Sequence, residues 1–235
     1  MRILSLDTAT EACSVALWID GRVLSRFEVA GRTHTQRMLP MTHELMAEAG
    51  LGFAQLDGLI CGVGPGSFAG VRIGVGFVKG LALSLDRPVV AVSSLQLLAQ
   101  AAVAEGATQV LAAIDARMDE VYFASFIRDA GGLMQAQMPA RVLAPARVHA
   151  EGAGSWHAAG TGWGTYEAVM REQLALQIDS VNGAALPHAQ DAFALALPRF
   201  ERGEVISADA LVPIYLRDKV ALTLEEQHSL RASRI

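Results

Sequence analysis

The stretch Gly64-Pro65-Gly66-Ser67-Phe68-Ala69-Gly70-Val71-Arg72-Ile73-Gly74-Val75-Gly76 constrains this chain more than any other. It follows the apolar run Leu59-Ile60-Cys61 and leads into a segment that reads as a helix to about Ser84. Glycines at 70, 74, 76 and 80 each cost that helix about 1 kcal/mol relative to alanine. A chain keeps such a run where something must approach the backbone. Gly70 with Gly74, and Gly76 with Gly80, are i, i+4 pairs. Three readings fit the run: an anion held at the helix N-terminus, close packing against another helix, or a tight turn that starts a core helix.

The familiar anion-binding forms fit poorly. A P-loop ends in Gly-Lys-Ser/Thr, whereas Gly70 is followed by Val71-Arg72. Gly64-x-Gly66-x-x-Ala69 with Asp86 downstream imitates a dinucleotide fingerprint. However, Pro65 stiffens the turn, and the chain opens on a hairpin rather than a strand–helix unit. Close packing ranks above dinucleotide binding.

Length allows one large domain or two lobes of about 100 residues each. A hydrophobic share of 52% provides a sizeable core, and a net charge of −5 without a basic run argues against strong direct binding to nucleic acid or anionic membranes. Cys13 and Cys61 lie in strand-like runs with no CxxC, as expected of buried thiols in a reducing cytoplasm. Arg2 to Asp7 already reads as a strand, so no leader is expected, and the uncharged run Pro88 to Ala104 reads as strand then helix rather than a membrane span.

Strands are expected at Ile3–Leu6, Ser14–Ile19 and Arg22–Val29, with Asp20-Gly21 as a hairpin turn. Thr33 and Gln36 form a capping-box pattern before a methionine-rich helix from His34 to Ala49, which Gly50 ends. A strand at Gly58–Val63, the glycine helix, a strand at Val89–Val92 and a helix at Leu95–Ala104 complete a first lobe, residues 1–105. Strands at Val110–Ile114, Val121–Ile127 and Leu133–Val142, then Trp156 to Ala159 leading into Gly160-Thr161-Gly162-Trp163, with helices from about Thr165 and at His188–Arg202, form a second lobe, residues 106–235. From Asp218 the chain turns polar, as a mobile tail or a loosely docked helix would. Both halves begin with a strand ending in Asp followed by a hairpin, which implies two related lobes with mixed sheets covered by helices.

Asp7 and Asp115, at the strand ends, are the best catalytic candidates by position, because acids so placed flank Mg-phosphate in two-lobed ATP-binding folds. The competing reading is an Asp that caps its own turn, assisted by Thr8 and Thr10. His34 and His43 are too far apart for a helical metal pair, and His149, His157, His188 and His228 are isolated. Ser67 lacks a Gly-x-Ser-x-Gly elbow and reads as an N-cap.

Several motifs together resemble the TsaB (YeaZ) family. They are Asp7-Thr8-Ala9-Thr10-Glu11-Ala12-Cys13-Ser14, His34-Thr35-Gln36-Arg37-Met38-Leu39-Pro40, the glycine stretch through Gly80, Ala113-Ile114-Asp115-Ala116-Arg117, Gly160-Thr161-Gly162-Trp163 and Pro213-Ile214-Tyr215-Leu216-Arg217. Ala69 departs from the threonine usual there. The resemblance implies an α/β, two-lobed, actin-like or Hsp70-type fold. It implies a bacterial cytoplasmic subunit of the machinery that forms N6-threonylcarbamoyladenosine at position 37 of tRNAs reading codons that begin with A. A related family, TsaD, is catalytic and carries a metal-binding His-x-x-x-His where this chain has Ser94 and Leu98. Leucine ligates no metal, so the resemblance implies a scaffold without metal or cofactor. Its expected partners are a TsaD-type subunit, a TsaE-type ATPase, a second copy when alone, and tRNA only through the complex. The expected partner surface comprises His34, Gln36, Met38, Leu39, Met41 and Leu45 on the first helix, with Gly70, Val71, Ile73, Gly74 and Phe77 on the second. A vestigial nucleotide cleft is expected at Asp7, Thr8, Thr10, Asp115, Gly160 and Gly162. The rival activities are a sugar-kinase-type phosphotransferase using Asp7 and Asp115, and a protease acting on the partner.

Overall fold

The computed structural model describes residues 1–217; the polar segment read from Asp218 onward lies outside the described residues. Strands buried on both faces build the centre of the first sheet. β1 (Arg2–Asp7), β2 (Ala12–Ile19) and β3 (Arg22–Val29) form an antiparallel meander. β4 (Gly58–Gly62) and β5 (Val89–Val92) add in parallel on the other side, giving the order β3-β2-β1-β4-β5. Leu4 and Leu6 of β1 point to one face, where α1 (His34–Glu48) and α2 (Phe68–Leu85) pack through Met38, Met41, Leu45, Val71, Val75 and Val78. Ile3, Ile60 and Val90 point to the other face. By length and apolarity α2 would pass for a membrane span, but its valines are packed in this lobe.

The second sheet repeats the plan. β6 (Gln109–Arg117) and β7 (Glu120–Arg128) are antiparallel, β8 (Met134–Ala136) and β9 (Arg141–Leu143) both pair with β7, and β10 (Ser155–Ala159) and β11 (Gln177–Asn182) continue in parallel. The order β8-β7-β6-β10-β11 matches β3-β2-β1-β4-β5 strand for strand, so the duplication read from the two Asp-terminated strands is present in the topology. α3 (Ser94–Ala101) sets Leu95 and Leu98 against one face of this sheet, and α4 (Thr161–Leu174) sets Trp163, Met170 and Leu174 against the other. The result is two mixed sheets covered by helices, the actin-like, Hsp70-type α/β arrangement.

Packing does not follow the division at 105–106 throughout. α5 (Ala192–Glu201) returns to the first sheet through Phe193 and Ala196. Ile206 bridges Val89, and Ile214 N donates to Val63 O at 2.8 Å. Other differences from the sequence reading are local. The Thr33 hydroxyl donates backwards to Ala30 O at 2.8 Å and gives α1 no side-chain cap, so the capping box does not form. Leu133–Val142 is not one strand, because Pro139, which has no N–H for a ladder, lies between β8 and β9. The helix read from Thr165 starts at Thr161 and bends at Tyr166 (φ −126°, ψ 21°). The α-helix read to Ala104 stops at Ala101 and tightens into a 3₁₀ turn, and α5 likewise starts after a 3₁₀ turn at Ala189–Asp191. β11 was not legible, since Gln177-Ile178-Asp179-Ser180-Val181-Asn182 alternates weakly and only Ile178 and Val181 are apolar.

The glycines of α2 divide by face. A Cβ at Gly70 would lie 2.1 Å from Thr8 O, and one at Gly74 would lie 2.5 Å from Thr8 Oγ1, whereas Gly76 and Gly80 meet nothing within 4 Å. The close approach is therefore to the β1–β2 turn and not to another helix. Gly70→Ala should destabilise the protein by about 1–3 kcal/mol through overpacking, while Gly76→Ala should stabilise it by up to about 1 kcal/mol through helix propensity. Urea midpoints of the two variants should move in opposite directions.

Candidate functional site

Between the lobes lies a cleft of about 550 Å³ whose walls include Thr10, Glu11, Arg32, Ser67, Asp115, Arg117, Tyr122 and Tyr215. The β1–β2 turn forms one side. Ser67 N donates to Ala9 O at 2.6 Å, the Thr8 hydroxyl donates to Gly70 O at 2.7 Å, and the Ser67 hydroxyl caps α2 by accepting from Gly70 N at 3.3 Å. Ala69 is exposed on that first turn.

The two acids have different fates. Asp7 does not reach the cleft: it is 1% exposed, accepts from Ala9 N at 2.9 Å and from the Ser94 hydroxyl at 2.7 Å, and abuts Gly62. Burial raises its carboxyl pKa, and the two hydrogen bonds oppose that shift. Asp115 does line the cleft, but its carboxylate is engaged by Arg117, at 2.8 Å from the backbone N–H and 2.9 Å from the guanidinium. Among the described residues, no lysine lines this cleft. Thr10 is at the wall, while Thr8, Gly160 and Gly162 stand behind it; a Cβ at Gly160 would lie 2.2 Å from Ala113 O. The capping reading of Asp7 is the one that its contacts support.

A strap crosses the cleft. Its start is fixed to the first lobe by Ile214 N, and Tyr215 OH accepts from Arg72 Nε at 2.6 Å. Its end reaches the second lobe, where the Arg217 guanidinium donates to Ala116 O at 3.1 Å, to Arg117 O at 3.3 Å and to the Glu120 carboxylate. The turn it grips is strained: Arg117, Met118 and Asp119 all have positive φ (61°, 58°, 57°). Sequence reasoning quoted the Pro213–Arg217 motif without placing it here. Arg32, Tyr122, Tyr215 and Arg217 were also missed, because spacing cannot show which distant segments meet across a cleft.

Ser94 and Leu98 are both interior. Ser94 is fully buried on Asp7, and Leu98 is 1% exposed among Leu95, Ala112 and Ala159. Among the described residues, no three His, Cys, Asp or Glu side chains gather as a metal site. Of the surface residues expected on α1 and α2, His34, Met38, Met41, Leu45, Gly70, Val71 and Gly74 are buried within the lobe. His34 Nε2 lies 2.9 Å from Thr10 O and 3.2 Å from Ala12 O, so it must carry the proton. Gln36, Leu39, Ile73 and Phe77 face outward or partly outward, joined by Gly76, Gly80 and Leu83, the last 56% exposed.

This two-lobed frame has known counterparts. Residues 27–222 match the model of the TsaD family, described as tRNA N6-adenosine threonylcarbamoyltransferase. The chain is 45% identical to the tRNA threonylcarbamoyladenosine biosynthesis protein TsaB of Escherichia coli K12, over 94% of this chain and 96% of that one. It is 41% identical to the protein of the same name in Haemophilus influenzae, over 94% and 95%. The solved structure of YeaZ from Pseudomonas aeruginosa superposes with a TM-score of 0.85 at 46% identity, covering 92% of this chain and 99% of that one. Fold and site thus define a member of the TsaD-like class of two-lobed proteins. Within that class, the chain belongs to the TsaB (YeaZ) family.

Asp7 has a native pKa above its unfolded value, so the native state binds the proton more readily. The resulting stability is fully present below the unfolded value of 3.8 and is lost as pH rises through the raised native pKa. Asp7→Asn keeps the bond from Ala9 N and can donate to the Ser94 hydroxyl without a buried charge. It should be at least as stable as the parent at pH 7. Denaturant titrations across pH should show the gap closing as pH falls towards 3.8.

Proposed function

We propose that this chain serves tRNA threonylcarbamoyladenosine biosynthesis in the bacterial cytoplasm as a non-catalytic scaffold for a TsaD-type subunit. The observation that carries the reading is at Ser94 and Leu98. Where the catalytic sister family would hold a metal with two histidines, one residue caps a buried carboxylate and the other fills the core. Neither can ligate a metal from there. Asp115 is paired with Arg117, and Asp7 is sealed in a turn. Among the described residues, the sugar-kinase and protease alternatives therefore find no acid–lysine pair and no nucleophile–base pair at this cleft.

The partner surface we propose is the outward face of α1 and α2, with Leu39, Ile73, Phe77 and Leu83 around the open backbone at Gly76 and Gly80. An exposed apolar stripe of this kind favours association, and in the absence of the partner it would support a two-fold homodimer. A TsaE-type ATPase joins as a third component, and tRNA is engaged through the complex.

The test combines tRNA, threonine, bicarbonate, ATP and the adenylate-forming enzyme with the subunits singly and together. Modification of adenosine 37 should require the TsaD-type subunit and rise when this chain is added. Asp115→Asn should leave that rise intact, while Leu83→Asp, which would bury a charge in the contact, should weaken partner binding about tenfold or more. Turnover by this chain alone, abolished by Asp115→Asn, would refute the scaffold reading.

A further inference from the structure

The outward face of α2 does not end at its apolar middle. Stepping back along the same side from Leu83 through Gly80 and Gly76 leads to Arg72 and Phe68, and there the strap adds Tyr215. The Arg72 guanidinium carbon sits 3.6 Å from the centre of the Phe68 ring and 5.4 Å from that of Tyr215, while Arg72 Nε donates to Tyr215 OH at 2.6 Å. The two rings are 5.7 Å apart. Tyr215 is itself positioned by the Ile214 N–H bond to Val63 O, so the cluster is assembled from two chain segments and held from both.

This cluster is exposed. Phe68 is 43%, Tyr215 49%, Ile214 38% and Val212 61% accessible. Among the described residues, Arg72 forms no ion pair, in contrast to Arg26, Arg37, Arg117, Arg171, Arg202 and Arg217, which each face a carboxylate. One face of its guanidinium is occupied by Phe68 and Nε by Tyr215, and among the described residues its two terminal amino groups make no hydrogen bond. A guanidinium fixed in this way has already lost its rotamer freedom, and its open edge matches a carboxylate bidentately. Apolar neighbours around it would exclude water from the contact. Arginine and tyrosine ringed by apolar groups is the composition of protein–protein anchor points. Nucleic-acid surfaces are far more positively charged, and this chain carries a net charge of −5.

We propose that the Phe68–Arg72–Tyr215 cluster is the anchor of the partner interface and receives a carboxylate side chain of the TsaD-type subunit between apolar groups. This rests on the scaffold reading above and adds to it the residue that sets affinity. It also explains the role of the Pro213–Arg217 motif on this side of the cleft: it completes a receptor that α2 alone cannot form.

The experiment measures the affinity of the full chain for a purified TsaD-type subunit by calorimetry at low and high salt. Wild type is compared with Arg72→Ala, Arg72→Lys and Tyr215→Phe, each checked by thermal unfolding. Arg72→Ala should weaken binding by about tenfold or more and flatten its salt dependence. Arg72→Lys should recover little of that loss, because an ammonium neither stacks on Phe68 nor binds bidentately. Tyr215→Phe, which removes only the hydroxyl, should fall between wild type and Arg72→Ala. Arg72→Ala binding within about twofold of wild type would overturn the inference while leaving the scaffold reading in place. So would full recovery with lysine, or a loss confined to tRNA affinity of the assembled complex. Failure of the wild-type chain to bind the partner would remove the scaffold reading and this inference together.

Discussion

The contact of the first turn of α2 with the β1–β2 turn governs most of what this molecule can do. Ser67 N reaches Ala9 O, the Thr8 hydroxyl reaches Gly70 O, and Gly66, Gly70 and Gly74 leave no room for side chains between the two segments. Three consequences follow from that approach. It presses the Asp7–Ala9 turn inward, so that Asp7 is satisfied by Ala9 N and Ser94 instead of facing solvent. It fixes α2 on the sheet with its valines inward, so that Gly76, Gly80 and Leu83 must face outward. It also brings Phe68 and Arg72 to the mouth of the cleft, within reach of Tyr215.

A two-lobed α/β frame of this kind has an interlobe cleft. One acid is buried, the other is paired with its own neighbour, and the Pro213–Arg217 segment spans the opening from Val63 to Glu120. The turn after β6, with three successive left-handed residues, is held by that same segment through Arg217. Each such residue costs about 1–2 kcal/mol, and the bonds from Arg217 and Asp115 offset part of that strain.

Much of the fold was legible because its signals are local. Asp20-Gly21 marks a hairpin, β-rich runs mark the strands on either side of it, and two Asp-terminated strands followed by hairpins announce a duplicated topology. Less was legible where a residue's role is set by what packs on it from far along the chain. Gly70 and Gly74 read correctly as points of close approach, but their neighbour is Thr8, sixty residues earlier, rather than a partner helix. Met38, Met41 and Leu45 follow helical spacing, yet periodicity does not say which stripe meets the sheet and which meets solvent. β11 is short and polar, and α5 crosses back to the first sheet although it follows the second in sequence. The reading of Ser94 and Leu98 came only from a resemblance to a sister family, because nothing in their spacing shows that both are buried.

The most direct test of the account is hydrogen–deuterium exchange of the full chain, alone and with a TsaD-type subunit, resolved by peptide. The account predicts slowed exchange in peptides covering α1, α2 and the segment around Tyr215, with α4 and the second sheet unchanged. Addition of ATP to the chain alone should leave every peptide unaffected. Protection confined to the cleft turns at Thr8–Glu11 and Asp115–Asp119 on addition of ATP, with α1 and α2 exchanging as freely with the partner as without it, would contradict the account.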